Sequence, residues 1–161
     1  LVEEENMPTP QGYSTRTLKD FVGHDFQTSD PITVGQERIN AFADITGDHQ
    51  WIHVDIERAR KTSPFGGPVA HGFLTLSLLA AAVGSAGVVP ADAKGALNYG
   101  LDNIRFIAPV PAGKRVTASF KLISVEDKGP KGQLLRLGAK LNIDGSDKPA
   151  VVGELLALVM A

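Results

Sequence analysis

Phe73-Leu74-Thr75-Leu76-Ser77-Leu78-Leu79-Ala80-Ala81-Ala82-Val83-Gly84-Ser85-Ala86-Gly87 carries no charged side chain, and no Asp, Glu, Lys or Arg occurs from Thr62 through Ala91. The stretch predicts a helix over 73–87 that is apolar on every side. Such a helix belongs either in a protein core or in a membrane. Its strongly apolar part is shorter than the roughly 20 residues a membrane span takes, and Gly84, Ser85 and Gly87 interrupt it. Burial in a core is therefore expected, and a core helix needs something to cover it.

The covering material follows in the chain. Residues 103–108, 115–125, 133–143 and 150–160 are rich in Val, Ile, Leu and Phe. Turn residues separate them: Pro109-Val110-Pro111-Ala112-Gly113, Lys128-Gly129-Pro130-Lys131-Gly132 and Asp144-Gly145. Val116, Ala118, Phe120 and Leu122 alternate with Thr117, Ser119 and Lys121, the period of a half-buried strand. Upstream, residues 36–45 predict a helix with Ile39, Phe42 and Ala43 on one face and Glu37, Arg38 and Asn40 turned away. Thr33 is its expected N-cap and Gly47 its stop. A second short helix is expected after Asp55 as N-cap, running through Ala59 to about Lys61. Residues 62–68, Thr-Ser-Pro-Phe-Gly-Gly-Pro, read as a loop. Helices followed by an antiparallel sheet give an α+β fold class, with the apolar helix packed against a curled sheet.

The totals fit a single domain. The chain has 161 residues, 43% hydrophobic and 21% charged, enough to bury a core without metals or disulfides. It has no cysteine, which excludes a thiol nucleophile and a thiolate zinc site. A net charge of −2 with mixed signs advertises no nucleic-acid surface. The start, Leu1-Val2-Glu3-Glu4-Glu5-Asn6, lacks the basic-then-apolar order of a signal peptide, and a cytoplasmic location without membrane attachment is expected. Residues 1–12 are set apart as a disordered or appended segment, and 13–161 are expected to form the domain.

Four histidines occur: His24, His49, His53 and His71. Three crowd residues 49–71, near Asp44, Asp48 and Asp55. In a continuous helix Asp48 and His53, five apart, would lie about 140° around the axis on different faces. Because Gly47 ends the first helix, both are expected on a loop that can fold back. A carboxylate and an imidazole sharing one water could activate it for attack and return a proton, exchanging roles in the reverse direction. An apolar cleft raises a carboxylate's pKa and lowers an imidazole's, bringing both toward neutrality. Gly72, opening the buried helix, could offer a backbone N–H and the positive end of the helix dipole to a developing oxyanion. The blander alternative is a turn aspartate and a packed histidine, and His71 beside Gly72 reads as structural. Only His49 and His53 have the i, i+4 spacing of a helical metal-ligand pair, so no metal centre is expected.

Phe42-Ala43-Asp44-Ile45-Thr46-Gly47-Asp48-His49-Gln50-Trp51-Ile52-His53, with Ala59 following, resembles the hydratase motif of the MaoC-like (R)-specific enoyl-CoA hydratases. Pro68-Val69-Ala70-His71-Gly72-Phe73 is similar to the same family's segment leading into its central helix. The resemblance covers roughly residues 30–160 and implies a hot-dog fold, a curled antiparallel sheet wrapped around one long helix, usually dimeric. It places the family's catalytic Asp and His on Asp48 and His53 and its oxyanion-hole glycine on Gly72. It implies an acyl-CoA thioester substrate, reversible hydration of trans-2-enoyl-CoA to (R)-3-hydroxyacyl-CoA, and no cofactor beyond the coenzyme A of the substrate. Many members have Asn-Pro where this chain has Gln50-Trp51, a variant resembling the nodulation protein N branch. Gln50, Trp51 and His71 become candidate substrate contacts, and Arg105 a candidate partner for coenzyme A phosphate. The serine some members place on the central helix falls on Ala80, leaving Ser77 or backbone to serve. A hot-dog thioesterase and a non-catalytic acyl-CoA-binding module are the alternatives.

Overall fold

The computed structural model describes residues 9–161. Most of the N-terminal segment set apart above, residues 1–8, lies outside the described residues. Pro10 and Tyr13 close a turn, and Tyr13 is buried with its hydroxyl donating to the Val88 carbonyl at 2.7 Å.

Among the described residues five antiparallel strands form one sheet. In chain order they are β1 (Ile32–Val34), β2 (Gly95–Phe106), β3 (Lys114–Asp127), β4 (Gln133–Ile143) and β5 (Val151–Met160). Their spatial order is β1-β3-β4-β5-β2. Among the described residues a short 3-10 helix (Leu18–Phe21) and four α-helices precede β2: α1 (Gln36–Thr46), α2 (Trp51–Val54), α3 (Ile56–Thr62) and α4 (Gly72–Ala81). The sheet curls around α4, the arrangement expected of a hot-dog fold. Val116, Ala118, Phe120 and Leu122 on β3 point inward, in register with Ile143, Leu141, Ala139 and Leu137 on β4. They share one apolar cluster with Leu74, Leu78 and Leu79 of α4.

Four expectations need correction. Thr33 lies on β1 and pairs with Arg115; the N-cap of α1 is Gly35. The central helix stops at Ala81 rather than running to residue 87. Beyond it the chain makes successive tight turns, closed by Ala86 N–H to Ala82 O and Gly87 N–H to Gly84 O. Gly84, Ser85 and Gly87 are weak helix formers, and Gly87 adopts φ +75°, which ends helical geometry. Nor is α4 buried all round: Phe73 is 70% exposed, and Ser77 and Ala81 share its open face. A five-stranded half-barrel covers only one side of the helix it holds. Lastly, β2 begins at Gly95, eight residues before the expected start at 103. Irregular pairing at Asn98–Gly100 and Asp102–Arg105 breaks the alternation that would have announced it.

The α1 stop behaves as expected. Gly47 adopts φ +83°, and its N–H returns to the Ala43 carbonyl at 2.8 Å. Asp55 caps α3 through Arg58 N–H, also as expected. Among the described residues no helix is long and apolar enough to cross a membrane.

Leu79 is fully buried where α4 meets the sheet. Leu79→Ala should lower the unfolding free energy by about 2–5 kcal/mol, through lost transfer energy and the cavity left behind. Ser77→Ala, on the open face, should change it by about 0.5 kcal/mol or less. Urea denaturation of the two variants checks both.

Candidate active site

The site starts where α1 stops. Gly47 turns the chain, and Asp48 follows on a short loop, exposed at the surface. Its carboxylate accepts the Gln50 N–H at 3.3 Å, a local turn that launches α2. His53 is therefore not on the loop, as the sequence suggested, but inside the one-turn helix α2. The expected fold-back is achieved by loop and helix together: a nitrogen of His53, a carboxylate oxygen of Asp48 and a nitrogen of His71 all lie within 4.8 Å of one another.

His53 is 7% exposed and held from two sides. Its Nδ1–H donates to the Val69 carbonyl at 2.6 Å, which leaves Nε2 as the lone-pair nitrogen of the neutral ring. Its main-chain oxygen accepts Nε2–H of Gln36 at 2.7 Å. Burial pushes the His53 imidazole below its ordinary pKa, and the bond to the Val69 carbonyl opposes this. The expected imidazole shift is thus present. Asp48 is exposed, so the burial expected for the carboxylate is not. His49 shifts the other way: its hydrogen bond to Asp44, 2.9 Å, raises its pKa at the open surface.

An apolar cavity of about 270 Å³ lies against His53; Asp48 is not among the residues that line it. Its floor is made by the buried Ala70, Thr75, Val110 and Ala150, and its rim by the more exposed Phe65, Phe106 and Ile107. His53 and Gly72 both line it. Gly72 opens α4, so its N–H is one of the four that a helix leaves without an internal acceptor. A Cβ at this position would come within 3.1 Å of the Phe106 ring, a close approach that glycine relieves. The cavity therefore presents a buried base, an unclaimed helix-terminal N–H and apolar walls, which suit an acyl chain next to a polar, reacting head.

The other singled-out residues fall elsewhere. Gln50 is exposed and caps α2. Trp51 carries the Arg58 guanidinium over its ring at 4.2 Å. Arg105 is exposed, with its guanidinium on the Ile104 carbonyl; its neighbour Phe106 lines the cavity. Ser77 donates to the Phe73 carbonyl and, with Ala80, lines a separate groove between α4 and β2. His71 is buried and stacks on His53, with ring centroids 3.9 Å apart and planes 28° apart. Stacked rings hold their in-plane lone pairs side by side. Nδ1 of His53 and Nε2 of His71 already donate to main-chain carbonyls, which leaves one free nitrogen on each ring. Sequence reasoning missed Gln36, Val69, Thr75 and Phe106. The grip on His53 runs through main-chain atoms, which leave no trace in residue type.

The opposite shifts of two nearby histidines can be measured. Histidine NMR titration should put the His53 midpoint below 6.5, the ordinary imidazole value, and that of His49 above it. Asp44→Asn should return His49 toward the ordinary value. Because the folded state disfavours charged His53, its contribution to stability is complete above about pH 6.5. It is lost as pH falls through that value toward the lower folded-state pKa. A His53 midpoint at or above the ordinary value would contradict the burial argument.

Comparison with known proteins agrees with the fold. Residues 18–136 match the MaoC like domain. The chain is 45% identical over 148 residues to 3-hydroxyacyl-thioester dehydratase Z of Mycobacterium tuberculosis, covering 92% of this chain and 97% of that one. It is 41% identical to nodulation protein N of Rhizobium leguminosarum bv. viciae, over 86% of each chain. Among solved structures the (R)-hydratase from A. caviae superposes with a TM-score of 0.70 at 25% identity, covering 92% of this chain and 98% of that one. Matches of this extent to protein and structure alike make the chain a hot-dog-fold member of the MaoC-like family of hydratases and dehydratases.

Proposed function

We propose that the protein reversibly hydrates trans-2-enoyl-CoA to (R)-3-hydroxyacyl-CoA, with Asp48 and His53 as the catalytic pair. The observation that carries this is that His53, its Nδ1 held by Val69 and the Asp48 carboxylate close to it, lines one apolar cavity together with Gly72. In the hydration direction the pair holds one water. A base takes its proton as the oxygen bonds to the β-carbon, and an acid delivers a proton to the α-carbon. Dehydration is the same path reversed, with acid and base exchanged. The thioester carbonyl gains negative charge as the β-carbon is attacked, and the Gly72 N–H at the positive end of α4 offsets it. The names of the relatives, a hydroxyacyl-thioester dehydratase and an (R)-hydratase, support the substrate class and the stereochemistry.

The reaction as written needs the chain, one water and the thioester, whose coenzyme A is part of the substrate. We further propose a homodimer acting in the cytoplasm. The open face of α4 and the adjoining β2 expose Phe73, Leu97, Tyr99 and Leu101, an apolar surface that a second copy would cover.

The test is turnover of trans-2-butenoyl-CoA by the wild type, Asp48→Asn and His53→Ala, with chiral analysis of the product. Each substitution should cost at least about a hundredfold in kcat, and the product should be (R). An (S) product, or full activity in either variant, defeats the mechanism. Release of free coenzyme A would instead mark a thioesterase. Gly72→Ala should lower kcat as well, because the added methyl meets the Phe106 ring.

A further inference from the structure

His71 is 2% exposed, yet it does not line the cavity. Its Nε2–H donates to the main-chain oxygen of Asp48 at 2.9 Å. One face of its ring stacks on His53, and Phe42 packs against it with centroids 4.9 Å apart. Its Nδ1 is buried and has no hydrogen-bond partner among the described residues. That nitrogen is costly, because a buried polar atom without a partner forgoes its hydration. An apolar ring of the same shape would fill the space without that cost, so packing alone does not account for a histidine here.

We propose that His71 is a positioning residue for the Asp48–His53 pair, setting the separation and relative angle of carboxylate and imidazole. The proposal rests on the hydratase reading above. The hydrogen bond fixes the loop that carries Asp48, and the stack fixes the plane of the His53 ring. Because His71 directly precedes Gly72, one residue references both halves of the pair to the helix end that would hold the thioester oxygen. Misplacing a reacting group by about 1 Å can cost on the order of a hundredfold in rate. The groups that titrate and face His53 are Asp48 from the loop and His71 from the start of α4. His71 acts on the His53 imidazole in the same direction as burial.

Two variants separate the contributions. His71→Phe keeps a ring to stack but loses the donor. His71→Gln keeps a donor near the position of Nε2 but loses the ring. His71→Phe should unfold at the same temperature as the wild type or higher, yet lose about tenfold or more in kcat with KM changed less than about threefold. Its pH–rate limb due to His53 should move to higher pH. His71→Gln should recover part of the lost kcat. The proposal is overturned if both variants keep wild-type kcat and pH profile, if only KM changes, or if Gln recovers nothing over Phe. A wild type that turns over no enoyl-CoA would sink the hydratase reading separately. Imidazole 15N shifts then decide the positioning role. In His71→Phe the His53 titration should move upward; an unchanged titration and tautomer would refute it.

Discussion

Segment 69–72 is laced to segment 48–53 by three hydrogen bonds: Val69 N–H to the Ile52 carbonyl, His53 Nδ1–H to the Val69 carbonyl, and His71 Nε2–H to the Asp48 carbonyl. The geometry of the candidate site depends on this crossing. It buries His53, aims its remaining nitrogen, holds the Asp48 loop and delivers Gly72 beside them. Each bond uses a main-chain atom on at least one side.

The crossing is anchored to the rest of the fold at both ends. Ala70 N–H donates to the Val110 carbonyl, tying the segment to the loop after β2. Gln36 at the start of α1 reaches the His53 carbonyl. Behind these contacts sits the apolar cluster in which Leu74, Leu78 and Leu79 meet the inner face of the sheet. Burial of that face supplies most of the stabilisation and makes the start of α4 a fixed point. A functional group placed on a rigid element keeps its geometry better than one on a free loop. Here the loop group, Asp48, borrows rigidity from α4 through His71.

Electrostatics differ sharply over a few residues. His49 at the surface gains a proton more readily because Asp44 accepts its hydrogen bond. His53, four residues on, gives one up more readily because it is buried. Both lie in the same quoted motif and nothing in their residue type separates them. The distinction comes from place: His49 stays on the exposed loop before α2, whereas His53 sits on α2, buried against the cavity.

Much of the architecture was legible in the sequence because it rests on local rules. Alternation along residues 116–122 marked an inward face, Gly47 marked the end of α1, and the uncharged run marked the central helix. The closeness of Asp48 and His53 was also legible, because Gly47 ends α1 and lets the chain fold back. What the sequence left open depends on contacts between distant segments. The end of α4 at Ala81, its open face at Phe73, and the early start of β2 follow from how far a half-barrel reaches and from irregular strand pairing. The grip of Val69 on His53, the stack of His71 and the placement of Phe106 against Gly72 join residues 16, 18 and 34 positions apart. Local periodicity carries no information over such separations. The sequence by itself determined which groups were available and on which elements they sit. Only the tertiary structure decided which of them meet, because the meeting is made by main-chain hydrogen bonds and ring packing that no residue type announces.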